Sequence, residues 1–207
     1  MFVCFEGIDG AGKTTQARML AQRLQKENVA VELVADPGTT KIGTAIRQIL
    51  LHNDAPISVM AQMLLFSAAR AELAAYILEQ QAAGKVIICD RWLLSTLVYQ
   101  GEINGVDPDL ILQIFKGTSN VSPDLCVLLD LDPETAATRV GQPRDRYERR
   151  SLEDRKRMRA AYMRFSGHEL AAARLHVINA LQPVEMTHSE VYELFSSLRS
   201  QQERIPQ

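Results

Sequence analysis

Apolar positions along the chain follow two recurring patterns. Short runs that are apolar at almost every position, or that alternate, are separated by longer segments with apolar residues three and four apart. Phe2–Glu6 (FVCFE) reads as a strand. Thr14–Glu27 reads as a helix, because Ala17, Leu20, Ala21 and Leu24 fall on one face. Val29–Ala35 alternates like a strand. A short helix is predicted around Thr44–Leu51 and a long one over Ile57–Ala83, closed by Gly84. Lys85–Asp90 (KVIICD) and Asp124–Leu131 (DLCVLLDL) are apolar almost throughout, as strands covered on both faces must be. Between them helices are predicted near Leu93–Tyr99 and Asp109–Lys116. Pro133 starts another in its first turn. The charged segment Gly141–Arg150 leads into a helix ending near Arg174; His176–Asn179 is a last strand and Val184–Leu198 a last helix.

Strands alternating with helices in this way predict an α/β fold: a parallel sheet of about five strands with helices on both faces. Ligands in such sheets bind beyond the carboxyl ends of the strands. Gly7, Asp36, Asp90 and Asp130–Asp132 all fall at those ends.

Bulk composition narrows the picture further. The 207 residues are 46% hydrophobic and 23% charged, enough for one sizeable core, so a single domain over residues 1–207 is expected. A net charge of −2 provides no field that recruits nucleic acid, and no nucleic-acid partner is expected. No run reads as long and apolar enough to span a bilayer, and no basic leader precedes FVCF, so no membrane partner is expected either. Cys4, Cys89 and Cys126 lie in strand-like runs without metal-ligand spacing, which suits buried thiols in a reducing, cytoplasmic compartment.

The candidate chemistry begins at Gly7. The run Gly7, Ile8, Asp9, Gly10, Ala11, Gly12, Lys13, Thr14 fits G-x-x-x-x-G-K-[ST] between a predicted strand and a predicted helix, the context this phosphate-binding loop requires. Glycines let backbone N–H groups turn inward, and the helix N-terminus behind them favours anions. Together with Thr15, these residues form the expected ATP site. Lys13 reaches the β- and γ-phosphates, and the Thr14 hydroxyl is a ligand for Mg²⁺. The loop alone does not say what is done with the nucleotide.

Further motifs, in order along nearly the whole chain, resemble those of the thymidylate kinase family. They are FEGIDGAGKTTQ, DPGTTKIGTAIRQILL, LLFSAARAEL, DRWLLSTLVYQG, SPDLCVLLDLDPE, DRYE and INALQPVEMTHSEV. The resemblance implies transfer of the γ-phosphoryl of MgATP to dTMP, and a homodimer. Phe66 and Arg70, four apart on one helix, would stack on thymine and bond its edge; read alone, without the surrounding motifs, core and surface is the favoured reading of the pair. Asp90 would hold Mg²⁺, with Asp130 as its rival, and Arg91 would clamp the acceptor phosphate, although a strand-end ion pair is the plainer reading of both. Ser95, Tyr99 and Gln100 would line the nucleoside pocket, Asp9 would meet the 3′-hydroxyl, and Asp36 would serve the acceptor phosphate or the metal. Arg47 is open between phosphate ligand and exposed helix arginine. Asn179, Ala180 and Gln182 resemble the adenine-side loop.

Arg139, Arg144, Arg146, Arg149 and Arg150 sit in or beside a charged segment, about residues 139–152. It reads as a solvated face, a nucleic-acid patch or a closing lid. The lid is favoured because some family members carry an arginine within the phosphate loop, where this chain has Gly10; Arg144 and Arg146 are then the catalytic candidates. The chain departs from the family at Ala35-Asp36-Pro37-Gly38-Thr39-Thr40, where R-E-P-G-G-T is usual, which bears on base preference. The alternatives are a kinase for dUMP, dCMP or a deoxynucleoside, and a non-catalytic ATP-binding switch.

Overall fold

Five short parallel strands build the centre of the molecule: β1 (Phe2–Glu6), β2 (Val31–Ala35), β3 (Val86–Asp90), β4 (Leu125–Asp130) and β5 (Leu175–Asn179). Their order in the sheet is β2-β3-β1-β4-β5. The computed structural model describes residues 1–52, 55–141, 147, 149–167 and 174–203. Every residue of β1 is buried, so the sheet is covered on both faces there, as the continuous apolar runs predicted. At the edge, β2 buries only Val34 fully and begins at Val31 rather than Val29. The reason is local: the Val29 N–H donates to the Leu24 carbonyl and belongs to the turn that ends the first helix. Cys4 is in register with both Cys89 and Cys126, so the three thiols share one row across the buried middle strands.

Eight α-helices are present among the described residues: α1 (Lys13–Lys26), α2 (Lys41–His52), α3 (Val59–Ala82), α4 (Leu93–Thr96), α5 (Pro108–Thr118), α6 (Pro133–Val140), α7 (Leu152–Ser166) and α8 (Val184–Glu203). The predicted face of α1 is the buried one, and full burial of Leu20 and Leu24 contributes about 1.5–3 kcal/mol each. Three expectations need correction. The helix predicted over Leu93–Tyr99 is α for one turn and then π-helical over Leu97–Ile103, a geometry that periodicity does not announce. The helix expected to end near Arg174 ends at Ser166, with Gly167 as its C-cap; residues 168–173 lie outside the described set. Finally, α3 is, by length and composition, apolar enough to cross a membrane, contrary to the reading of the sequence. It is a core helix: Met63, Leu73 and Ile77 are buried, and its Arg70 is buried with them in an ion pair.

The carboxyl ends of β1, β2 and β3 converge. Gly7 follows β1, Asp36 follows β2, and Asp90 and Arg91 lie at the end of β3. The site is built there.

Candidate active site

The phosphate loop closes on itself before α1 begins. The Ala11 N–H donates to the Ile8 carbonyl, and Gly12, at φ 98°, is the N-cap of α1. Lys13 folds back so that Nζ donates to the Ile8 carbonyl at 2.9 Å. Burial, and then the neighbouring Arg91, push the Lys13 ammonium down to about 8, with Asp9 and Asp90 opposing. This is a cation held in place and short of anions. Gly10 adopts φ +90°, and a Cβ there would lie 2.3 Å from the Ala136 carbonyl oxygen of α6. No side chain fits at that position without displacing α6 backbone, so this loop cannot carry the arginine that some family members place in it.

A cavity of about 1040 Å³ runs from this loop to α3. That is the upper end of the range for small-molecule sites, and the loop lines one end of it while Phe66 and Arg70 line another. Arg70 is 3% exposed. Its Nε donates to Asp36 at 2.7 Å and its Nη2 donates to the Thr96 hydroxyl at 2.5 Å. Asp36, buried as well, therefore meets a guanidinium before any ligand. Removing either partner would leave a buried charge and cost about 3–5 kcal/mol. Phe66 is half-buried against the edge of Tyr147, with ring centroids 5.8 Å apart. Tyr99 is edge-on to the same tyrosine at 6.1 Å. Gln100 is 1% exposed and lines the cavity, and its Nε2 finds no hydrogen-bond acceptor among the described residues. A buried amide donor left open costs about 1–3 kcal/mol unless a ligand meets it.

Arg91 is the centre of the polar wall. It adopts φ 75°, uncommon for a residue with a side chain. Nη1 donates to the Gly7 carbonyl, to the Ser95 hydroxyl and to the Tyr162 hydroxyl at 3.1–3.2 Å. Nη2 pairs with Asp9, whose other oxygen accepts from the Tyr99 hydroxyl at 2.8 Å. Burial pushes the Asp9 carboxyl up, but Arg91, Lys13 and Tyr99 outweigh it and hold the group at about 2.

On the donor side, the Thr14 hydroxyl donates directly to Asp90 across the gap between α1 and β3. Hydroxyl and carboxylate form a hard-oxygen pair of the kind that holds Mg²⁺ when water and phosphate complete the octahedron. Asp130, the rival ligand, is clasped by Arg159 through two bonds of 2.7 Å. Asp132 is the N-cap of α6, accepting from the Thr135 N–H. Arg139 lies on α6, lines the cavity and donates to the Ala180 carbonyl. Ala180 and Gln182 line the cavity too, whereas Asn179 spends its side chain on the Leu181 N–H. Arg47 lines the cavity and donates to the Pro37 carbonyl at 2.7 Å. Arg144 and Arg146 lie outside the described residues. Arg150 sits over the Tyr147 ring.

Three participants escaped the reading of the sequence. Glu6 is fully buried at the end of β1 and accepts from Ser95 and Trp92. A carboxylate closing an otherwise apolar strand, one residue before the loop, was the available signal. Tyr147 and Tyr162 stand in charged segments that periodicity describes as surface; Tyr147 falls within the DRYE motif, which reads by its charges, and no local signal marks Tyr162.

Comparison with known proteins agrees with this geometry. The family model described as thymidylate kinase matches residues 5–191. The thymidylate kinase of Pelodictyon phaeoclathratiforme is 37% identical over 207 aligned residues, covering 94% of both chains. That of Symbiobacterium thermophilum is 38% identical, covering 94% of this chain and 92% of its own. The crystal structure of thymidylate kinase from Ehrlichia chaffeensis superposes with a TM-score of 0.75 at 30% identity, over 94% of this chain and 98% of that one.

Proposed function

This chain belongs to the thymidylate kinase family and phosphorylates dTMP with ATP; we propose that the wall from the phosphate loop to α3 carries out that transfer, with the residues acting as follows. Gly7–Thr15 cradle the ATP phosphates and Lys13 bridges the β- and γ-groups. Thr14 and Asp90 would hold Mg²⁺, which would neutralise charge on the phosphates. Arg91 binds the acceptor phosphate and faces the transferring group, so that two anions can approach. Asp9, ionised and anchored by Arg91 and Tyr99, accepts from the 3′-hydroxyl. Ser95 belongs to the same wall, and Asp36 acts through Arg70. Arg144 and Arg146, which lie outside the described residues, are assigned to the phosphates by resemblance, as the lid candidates of about residues 139–152 in a single kinase domain. Transfer is direct and in line, so positioning and charge supply the catalysis.

The observation that carries base recognition is the open amide of Gln100. It sits beside Phe66, which stacks on the ring, and Arg70, whose Nη1 edge we assign to the base. An N–H donor there matches a pyrimidine carbonyl and leaves the 4-amino group of cytosine facing another donor. ADP release with MgATP is expected to be fastest with dTMP. It should be slower with dUMP by about 10–200-fold for the missing methyl, and slowest with dCMP. Gln100→Leu should narrow the gap between dTMP and dCMP. Equal kcat/KM for dTMP and dCMP in the wild type would refute the assignment.

We assign the oligomer as a homodimer joined through α2 and α3. Ile42 and Ile49 on α2, seven apart, and Met60, Leu64 and Leu78 on α3 are exposed large apolar side chains on two helices that pack together. Sedimentation should give twice 23.1 kDa, and Leu64→Glu should give a monomer with its thermal unfolding midpoint preserved or lowered. A wild-type monomer at micromolar concentration would overturn it. The three buried free thiols support a cytoplasmic location.

A further inference from the structure

We propose that Glu6 is a positioning residue for the transfer: acting through Ser95 and Tyr162, its carboxylate fixes where Arg91 finds its acceptors, and so where the guanidinium stands. The proposal rests on the reading of Arg91 given above and adds a residue that touches no substrate.

The hydrogen-bond arithmetic favours one arrangement. Glu6 is 0% exposed. Its Oε1 accepts from the Trp92 N–H at 2.8 Å and from the Ser95 N–H at 3.1 Å. Its Oε2 accepts from the Ser95 hydroxyl at 2.6 Å. An ionised carboxylate only accepts, so the single hydroxyl proton of Ser95 is committed to Glu6. Both lone pairs of Ser95 Oγ must then accept. They face Arg91 Nη1 at 3.1 Å and the Tyr162 hydroxyl at 3.0 Å. The Tyr162 proton goes to Ser95 Oγ, a nearer acceptor than Glu6 Oε2 at 3.5 Å, and either choice leaves the Tyr162 oxygen to accept from Arg91 Nη1 at 3.2 Å. One buried negative charge turns every side-chain oxygen around Nη1 into an acceptor.

The same carboxylate holds the backbone. Trp92 directly follows Arg91, whose φ of 75° costs on the order of 1–3 kcal/mol and persists only where its surroundings enforce it. Oε1 ties the Trp92 and Ser95 N–H groups together at the start of α4 and so closes the turn that contains Arg91. Tyr162 lies on α7, which begins just after the charged segment, so the network also joins that helix to the catalytic wall.

Glu6→Gln keeps the size and one oxygen but adds two donors. An amide nitrogen beside Ser95 Oγ would donate where the carboxylate accepted. The Ser95 proton is then released towards the Tyr162 hydroxyl or turned against the Arg91 N–H from which the oxygen should accept, and the direction of the chain reverses. The expected result is a fall in kcat of about tenfold or more, from misplacement of Arg91, with KM for ATP within about twofold of wild type. Ser95→Ala should fall similarly, and the double variant Glu6→Gln/Ser95→Ala should be no worse than the more impaired single one, because both act through one bond. Two merely structural residues would instead give additive losses tracking the thermal midpoint. If Glu6→Gln does not fold, Tyr162→Phe carries the test, since it deletes one oxygen only. About a threefold or greater fall in kcat at an unchanged midpoint is then expected. Arg91→Ala measured alongside separates the two levels. Wild-type turnover in Arg91→Ala overturns both the reading of Arg91 and this proposal. An inactive Arg91→Ala, with wild-type kcat in Glu6→Gln and Tyr162→Phe or with additive effects in the double variant, overturns the positioning role alone.

Discussion

Lys13→Ala is expected to lower kcat by about 10²–10³-fold, the loss typical of removing one preorganised donor from a site of developing charge. Its thermal midpoint should hold or rise, because the buried ammonium is a cost to the unliganded fold. Among the described residues Nζ has one hydrogen-bond partner, the neutral Ile8 carbonyl, and burial with Arg91 brings the group down to about 8 from 10.5. The unfolded chain then binds more protons between those values, so this residue makes apo-protein stability rise with pH across that window. The same shift predicts a pH profile. kcat/KM for ATP reports the free enzyme and should fall above about pH 8, as Lys13 loses the proton that attracts the phosphates. kcat reports the complex, where the polyphosphate restores the proton, and should hold to higher pH. The basic limb at pH 8 should vanish in Lys13→Ala. A limb unchanged in that variant would remove Lys13 from the assignment.

Arg91→Ala is expected to cost about 10³-fold or more in kcat, on the scale of cations that face a transferring phosphoryl group. It should also destabilise the fold, because the partly buried Asp9 would lose its ion-pair partner and keep the Tyr99 hydrogen bond and the more distant Lys13 charge. Arg91→Lys is expected to recover little of the loss. Three acceptors converge on Nη1 while Asp9 takes Nη2, and an ammonium cannot occupy both positions of that fork. Steady-state rates for the two variants, with thermal midpoints beside them, check this. A lysine variant within about threefold of wild type would mean that charge alone suffices and the fork is irrelevant.

How far the site could be read from the chain differs residue by residue. The phosphate loop was legible because its requirements are local: glycines where φ is positive, a lysine at the first position of a helix, and a strand immediately before. Asp90 was legible as a strand-end carboxylate, but its preference over Asp130 was not. That rested on resemblance until Arg159, from α7, was seen clasping Asp130. Resemblance assigns Asp36 to the acceptor phosphate or the metal; in the fold it lines the cavity and is paired with Arg70, 34 positions away, which periodicity does not announce.

The alternation of apolar runs and helical periods determined the parallel sheet, the element order and the end of the sheet where ligands bind, because burial of continuous apolar strands leaves few other arrangements. Local spacing likewise determined a helix amino end ready for polyphosphate. Tertiary structure decided which charges remain for substrates. Glu6, Ser95, Arg91 and Tyr162 meet across separations of up to 156 positions. Whether a buried carboxylate or guanidinium is spent within the fold or left to a ligand depends on such long-range partners, which periodicity does not reveal.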